Sequence, residues 1–217
     1  MTVIRTIERP SRSLVKSYSA ISVATIHESM GKETKNLMDS AIRPVDIAMR
    51  MAGPAVTVDC PPGDSTALHF AMTLCLPGDV LVVNGSGRPV ALFGGIMAAQ
   101  ANRSGVAGIV VDGGVRDVGD FRRLGFPCFA RFITAQGAVK KKMGDINVPI
   151  VCGGLTVNPG DLVVADEDGV VVVPRLKAAE VLEACRKRIA IEKRNVRLIR
   201  KGATTVELLG LDKLRTE

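Results

Sequence analysis

The sequence predicts an α/β fold in which a layered, mixed sheet is flanked by helices and followed by a long C-terminal helix. Three observations support this prediction. Short Val-rich runs alternate with helical segments along much of the chain. The run 106–112 is apolar from end to end, as expected of a strand covered on both faces. Charged residues recur at helical spacing over 176–200.

Periodicity and turn signals place the elements in order. The predicted elements up to residue 131 are helices over 19–30, 66–76, 94–104 and 118–124 and strands over 55–60, 80–84, 106–112 and 127–131. Asp64 or Ser65 can cap the second of these helices. The segment 153–174 has short Val-rich runs separated by Pro-Gly-Asp and Asp-Gly turns, which is typical of a β-meander.

The length sets the domain organisation. A chain of 217 residues, 47% of them hydrophobic, can bury the core of one domain. We expect that domain to span 1–217, with an N-terminal arm over 1–15 and a helical tail over 175–217.

Composition narrows the class of protein. The net charge of +7 would suit nucleic acid, but aromatic residues are only 3% of the chain and the charged helix has both signs. We therefore expect no nucleic-acid partner and favour a small anionic substrate. Five cysteines without a CxxC pair predict buried free thiols in a reducing compartment. No segment approaches the roughly 20 apolar residues of a membrane span, which predicts a soluble, cytoplasmic protein.

Gly94 and Gly95 begin a predicted helix. Glycine lets the backbone approach a ligand closely, and the unpaired amides of a helix N-terminus bind anions. A tight turn that needs a positive φ is the alternative explanation for this pair of glycines.

The segment from Asp112 to Asp120 is the second candidate site, because it follows a buried strand and begins a helix. Asp117 and Asp120 are three residues apart and can share a helix face, where two carboxylates can hold a hard cation such as Mg²⁺. The alternatives are structural: Asp117 as a helix cap, Asp120 as a solvated acid, and Arg116 as the ion-pair partner of Asp112 or Asp117.

Other polar residues favour structural roles. His69 lies in an apolar helix, which is typical of a buried histidine with its hydrogen bonds satisfied. His27 and Glu28 can face a pocket or a subunit contact. The acidic segment 166–168 before Gly169 predicts a hairpin turn.

These residues carry a family resemblance. Gly95, twenty residues, Arg116-Asp117, two residues and Asp120 resemble the G-x20-R-D-x2-E/D signature of the 4-hydroxy-4-methyl-2-oxoglutarate (4-carboxy-4-hydroxy-2-oxoadipate) aldolases, which share their fold with the RraA regulators of RNase E. Segments that resemble the family span most of the chain: 23–32, 61–71, 110–131, 147–174 and 209–215. One departure is Ser65, where these aldolases often have Asn.

The resemblance implies an RraA-like fold of the swivelling-domain type and a class II, metal-dependent lyase. It implies that Asp117 binds Mg²⁺ or Mn²⁺, that Asp120 assists through water, and that Arg116 contacts the keto oxygen of a 2-oxo acid. The implied substrate carboxylate site is the backbone at Gly94, Gly95, Ile96, Met97 and Ala98. The implied reactions are retro-aldol cleavage to pyruvate and a second oxo compound, and oxaloacetate decarboxylation.

The resemblance also leaves an alternative, a non-catalytic RraA-type regulator that binds a ribonuclease or helicase. Asp120 favours the enzyme, since regulators of that type tend to lack this acid. Family members form trimers or dimers of trimers, so the resemblance implies a homotrimer or hexamer. Glu192 on the charged helix is then a further catalytic candidate that could reach a neighbouring subunit's site.

Overall fold

The computed structural model describes residues 1–31 and 33–214. Two of the family-like segments, 23–32 and 209–215, end on residues outside this range, as does the tail predicted to residue 217. No helix of the described residues is long and apolar enough to cross a membrane.

A mixed sheet forms the centre of the fold. The strands are β1 (Arg43–Pro44), β2 (Met51–Asp59), β3 (Val80–Asn84), β4 (Ala91–Phe93), β5 (Gly108–Val115), β6 (Cys128–Ile133), β7 (Asp145–Ile146), β8 (Ile150–Cys152), β9 (Leu155–Val157), β10 (Leu162–Asp166) and β11 (Gly169–Val173). The order is β1-β6-β5-β3-β2-β10-β11, with β4 beside β5 and β7 beside β2. Strands β2, β3, β5 and β6 run parallel, whereas β1, β10 and β11 pair antiparallel. Because β1 also lies near β11, the sheet is nearly closed.

Helices cover this sheet. They are α1 (Arg12–Tyr18), α2 (Val23–Ser29), α3 (Thr66–Ala71), α4 (Gly95–Arg103), α5 (Val118–Leu124), α6 (Ala178–Ile199) and α7 (Thr205–Leu209), with 3₁₀ turns at Arg175–Lys177 and Leu211–Leu214. The main core includes buried side chains of β2, β3, β5 and β6 and of α3, α4 and α5. A second cluster packs α1, α2 and the first half of α6 against β10 and β11. The predicted layered α/β fold with a long C-terminal helix is therefore confirmed.

The N-terminal prediction is wrong in part. The arm expected over 1–15 ends before α1, which begins at Arg12 and has the Ser11 hydroxyl accepting from the Leu14 amide. The Tyr18 hydroxyl donates to the Ala178 carbonyl at 2.6 Å, which ties α1 to α6. Ahead of the helix, the Arg9 guanidinium donates two 2.8 Å hydrogen bonds to Asp79, so this part of the arm is held against the body.

Two further elements differ from the prediction. Helix α3 ends at Ala71 rather than 76, because the chain turns over 72–74. The segment 153–174, predicted as one β-meander, is divided between two sheets: β9 pairs with β8, which precedes the segment, whereas β10 and β11 join the central sheet. The turn at 166–168 is the predicted hairpin, since Asp166 lies opposite Gly169 in the β10–β11 ladder.

The cysteines are free, as predicted. Four are buried and Cys75 is half-buried. Burial raises the pKa of the Cys60 and Cys75 thiols to about 12, so both are protonated at neutral pH and are poor nucleophiles.

Candidate functional site

The candidate site forms where two neighbouring parallel strands end. Strand β4 pairs with β5 so that Phe93 lies opposite Val115. The next residues of each strand are therefore brought together, and the Arg116 amide donates to the Phe93 carbonyl at 3.1 Å. Helices α4 and α5 begin directly after these strands. This topology places Gly94 and Gly95 beside the Arg116–Asp117 pair.

Asp117 links the two helices. It is the N-cap residue of α5, in a left-handed conformation with φ 61° and ψ 40°, and its carboxylate caps no amide of that helix. Instead, Oδ2 accepts a hydrogen bond of 3.0 Å from the Gly95 amide at the start of α4. The carboxylate of Asp117 therefore caps the first amide of α4 rather than an amide of its own helix. The side chain is 45% exposed, which leaves its carboxylate open to the solvent and to a ligand.

Asp120 lies one turn further along, in the first turn of α5. Its carboxylate pairs with Arg123 and also lies against the start of α4. A Cβ built on Gly95 would be 1.9 Å from Asp120 Oδ2, and one on Gly94 would be 2.7 Å from Asp117 Oδ2. The absence of a side chain at both positions therefore lets the carboxylates approach the backbone closely. The alternative explanation for these glycines, a tight turn that needs a positive φ, is wrong.

Arg116 points into the same space. Its Nε lies 3.6 Å from Asp117 Oδ2, and half of its side chain is exposed. The alternative pairing with Asp112 does not occur, because Asp112 accepts from Arg131 Nε at 2.6 Å and from the Gly153 amide at 2.8 Å. Asp112 is thus engaged in structural contacts, while half of the Arg116 side chain is exposed beside the cavity.

The first turn of α4 offers amides for an anion, and the structure distinguishes among them. The Gly95 amide is occupied by Asp117, and the Ala98 amide donates to the Gly94 carbonyl at 3.0 Å. The amides of Ile96 and Met97 have no acceptor within the helix, by the geometry of a helix N-terminus. Ile96 and Met97 therefore contribute free donors to the predicted set.

A cavity of about 170 Å³ opens at this point. Its lining consists of Ser65, His69, Ala91, Leu92, Phe93, Gly94, Ile96, Met97, Arg116, Asp117, Gly137, Ala138 and Lys140. Gly94, Arg116 and Asp117 of the motif line it, whereas Gly95 and Asp120 do not. A second wall of the cavity, Ser65, His69 and Lys140, was not predicted as part of the site. His69 Nε2 is buried without a hydrogen-bond partner among the described residues, so the interpretation of a satisfied buried histidine is wrong.

Asp64 holds that second wall in place. Its Oδ1 accepts from the amide and the hydroxyl of Thr66, and its Oδ2 accepts from the amides of Lys141 and Lys142 at 2.7 and 2.8 Å. Burial disfavours ionisation, but these hydrogen bonds outweigh it and lower the pKa of Asp64 to about 2. The carboxylate therefore fixes the loop that carries Lys140 against the start of α3.

The donors at the site suit a hard divalent cation. The carboxylates of Asp117 and Asp120 both lie against the first residue of α4, and such oxygens are the ligands that Mg²⁺ and Mn²⁺ prefer. Across residues 1–31 and 33–214, no group of three or more His, Cys, Asp or Glu side chains is placed to hold a metal. A cation held by two carboxylates would keep several of its waters, which is usual for Mg²⁺.

Glu192 does not line this cavity within one chain. It lies on the second half of α6, with Oε1 2.9 Å from Arg188 Nε, and Arg188 also pairs with Glu28. His27 is likewise engaged elsewhere, with Nδ1 2.6 Å from Asn36 Oδ1. Any part that Glu192 has in the site requires a second copy of the chain.

Comparison with known proteins identifies similar chains. A sequence profile of the RraA-like family, described as Aldolase/RraA, matches residues 23–172. A protein of Halalkalibacterium halodurans, provisionally named 4-hydroxy-4-methyl-2-oxoglutarate aldolase, is 39% identical over 163 residues, or 75% of this chain and 78% of the relative.

Two solved structures have the same fold. Streptomyces coelicolor RraAS2, described as an unusual member of the RNase ES inhibitor RraA family, is 34% identical with a TM-score of 0.80, and the match covers 88% of this chain and 98% of that one. The RNA-processing inhibitor RraA from Thermus thermophilis is 29% identical with a TM-score of 0.64, over 71% and 93% of the two chains.

Proposed function

The chain belongs to the RraA-like family, and from this we propose that it is a divalent-metal-dependent aldolase. It cleaves 4-hydroxy-2-oxo di- or tricarboxylic acids to pyruvate and a second oxo compound, and it also decarboxylates oxaloacetate. The observation that carries the proposal is a cavity lined by Arg116, Asp117 and the first turn of α4, with the Asp120 carboxylate against the same end of α4.

Each group has a place in this chemistry. Asp117 and Asp120 hold Mg²⁺ or Mn²⁺, which supplies a Lewis acid for the oxygens of the 2-oxo acid. The amides of Ile96 and Met97 receive the substrate's C1 carboxylate. Arg116 donates to the C2 keto oxygen, where negative charge develops as the enolate forms.

The reaction conserves atoms without a further reactant. A base takes the proton of the C4 hydroxyl, the C3–C4 bond breaks, C4 becomes a carbonyl, and the electron pair passes into the pyruvate enolate. Protonation at C3 then gives pyruvate. Oxaloacetate loses CO₂ to give the same enolate, so the same residues serve both reactions.

A regulator without catalysis is the competing function. The likeness to RraAS2 and to the Thermus RraA favours it, since the first is described as an unusual member of the RNase ES inhibitor RraA family and the second as an RNA-processing inhibitor. The carboxylate of Asp120 beside Asp117 favours the enzyme, because a regulator would have no use for a cation at this position.

Pyruvate release tests the proposal. Purified protein is incubated with a panel of 4-hydroxy-2-oxo acids and oxaloacetate, with EDTA and after adding back Mg²⁺ or Mn²⁺. We expect release only with the metal, almost none from Asp117→Asn, and partial loss in Asp120→Asn. Asp46→Asn is the matched control, because Asp46 also pairs with an arginine of α5, Arg122, but lies outside the cavity. Pyruvate release that persists after thorough chelation would refute the metal mechanism. If no substrate of the panel gives pyruvate, the result would favour the regulator.

A further inference from the structure

His69 is a polar group without a partner in the wall of the cavity. It lies on α3 and lines the cavity together with Ser65 and Lys140. Its Nε2 has no hydrogen-bond partner in the described part of the chain, although the atom is buried. Leaving a buried polar group unpaired is costly, and folded proteins keep few such groups without a reason. A ligand in the cavity would supply the missing partner.

The surroundings indicate which kind of ligand group this is. Burial, and then the positive charge of Lys140, lower the pKa of His69, so its imidazole is neutral at pH 7. A neutral imidazole still has one N–H to donate. Ser65 and Lys140 are donors as well, so this wall as a whole presents hydrogen-bond donors to the cavity. Such a wall suits an oxygen-rich, anionic group.

The two groups of lining residues can each receive one half of the substrate. If the proposed function holds, the pyruvyl half lies against Arg116, Asp117 and α4. The half that leaves after C3–C4 cleavage is then left to the rest of the lining, which includes Ser65, His69 and Lys140. We propose that His69 Nε2 donates a hydrogen bond to the oxygen-bearing substituent on C4, which makes His69 a positioning and specificity-determining residue for the leaving half.

Stability separates this role from a structural one. Replacing an unpaired buried nitrogen with an apolar side chain of similar size removes a desolvation penalty and leaves no partner behind. We therefore expect His69→Leu to melt at the same temperature as the wild type or higher, while cleavage falls. A histidine that only stabilised the fold would show the opposite result.

Two substrates and two amide variants provide the activity test. 4-Hydroxy-2-oxoglutarate has a carboxylate on C4, whereas 4-hydroxy-2-oxopentanoate has a methyl group there. For His69→Leu we expect kcat/KM on the first to fall by about 10- to 100-fold and on the second by much less. His69→Gln, whose amide nitrogen can reach the position of Nε2, should recover more activity than His69→Asn. Thr73→Ala, beyond the end of α3 and outside the cavity lining, is the matched control.

A binding measurement keeps this inference distinct from the proposed function. Calorimetry uses 2,4-dihydroxyglutarate, in which the reduced C2 group blocks cleavage, and we expect weaker binding to His69→Leu than to wild type. If the wild type releases no pyruvate but this binding difference is present, the aldolase proposal fails and the His69 contact stands. Two results would overturn the inference. One is an equal loss of kcat/KM on both substrates together with a lowered melting temperature. The other is binding that His69→Leu leaves unchanged.

Discussion

Asp117 has an unusual backbone for a residue with a side chain. Its left-handed conformation is one that aspartate tolerates better than most residues, but it still costs free energy. In this conformation β5 turns directly into α5, and the carboxylate reaches the amide of Gly95 on the neighbouring helix. Strain of this type at a cavity wall is consistent with a site in which position matters more than local stability.

The role of Arg116 is testable by a change that keeps its charge. Lysine cannot reproduce the planar set of donors that a guanidinium offers to the keto oxygen. We expect Arg116→Lys to lower kcat by roughly 10²- to 10³-fold, the scale of removing one oxyanion donor. The melting temperature should change little, because the ion pair with Asp117 is long and half-exposed.

The same preparation tests the structural explanation. Steady-state kinetics and a melting curve are measured together on Arg116→Lys and wild type. If Arg116 only holds the loop through Asp117, turnover stays near normal and the melting temperature falls. That result would remove Arg116 from the proposed mechanism.

At the scale of elements, the site depends on the contact between the starts of α4 and α5. The two helices approach so closely that Asp120 occupies the space of a side chain at residue 95. Glycine normally weakens a helix relative to alanine. Glycine at 95 therefore leaves space for the carboxylates, although it makes α4 less stable than alanine would.

Gly95→Ala separates these two effects. The added methyl group must displace Asp120, so we expect a large loss of activity and a higher Mg²⁺ concentration at half-maximal rate. Gly119→Ala is the control, because nothing lies within 4 Å of a Cβ there. Alanine at 119, within α5, should raise stability by up to about 1 kcal/mol with activity kept. Normal metal dependence in Gly95→Ala would show that Asp120 is not part of the cation site.

The wall that carries Lys140 has a predictable dependence on pH. The pKa of Asp64 is about 2 in the fold and near 3.8 in an unfolded chain, so its contribution to stability is fully present above pH 3.8. That contribution is lost as pH falls toward 2. Urea unfolding of wild type and Asp64→Asn should show the variant less stable near neutral pH, with the difference narrowing below about pH 4. A gap that stays constant down to pH 2 would contradict the ionised role of Asp64.

Local signals explain which elements were predictable. Helix α5 has the predicted bounds, because Asp117 at its start and Gly125 at its end are both left-handed residues that the sequence marks as boundaries. Strand β3 likewise follows its Pro-Gly-Asp turn. The apolar pattern predicted α3 too long, since it continues past Ala71, where the chain turns. Helix α1 was missed because its short sequence has little apolar periodicity and its position depends on Tyr18 reaching Ala178.

The site was predictable on one side only. The family motif singled out Gly95, Arg116, Asp117 and Asp120, but strand β4, which places Gly95 beside Arg116, was not predicted from the sequence. The wall of His69 and Lys140 depends on a loop fixed by Asp64 over a separation of some 77 residues. No pattern in the sequence encodes that contact.

At the scale of the whole molecule, the distal half of α6 is exposed on a single chain. The buried residues of this helix all lie in its first half, up to Cys185. Beyond them, Ile191, Val196 and Ile199 present apolar side chains to solvent. Apolar side chains exposed on a long helix are available for contact with another copy of the chain. We infer from the family resemblance that the chain forms a homotrimer or hexamer, for which light scattering should give at least three chains at micromolar concentration.

Subunit mixing tests whether Glu192 serves a neighbour's site. Glu192→Gln and Asp117→Asn are each expected to be nearly inactive. If each site combines Asp117 of one subunit with Glu192 of the next, joint refolding in equal amounts should restore about a quarter of the sites by random assortment in a closed ring. Glu183→Gln is the control, because Glu183 also pairs with an arginine of α6, Arg186, and it should keep full activity. Two results would exclude a shared site. In one, the mixtures stay inactive although the chains assemble together. In the other, Glu192→Gln is as active as Glu183→Gln.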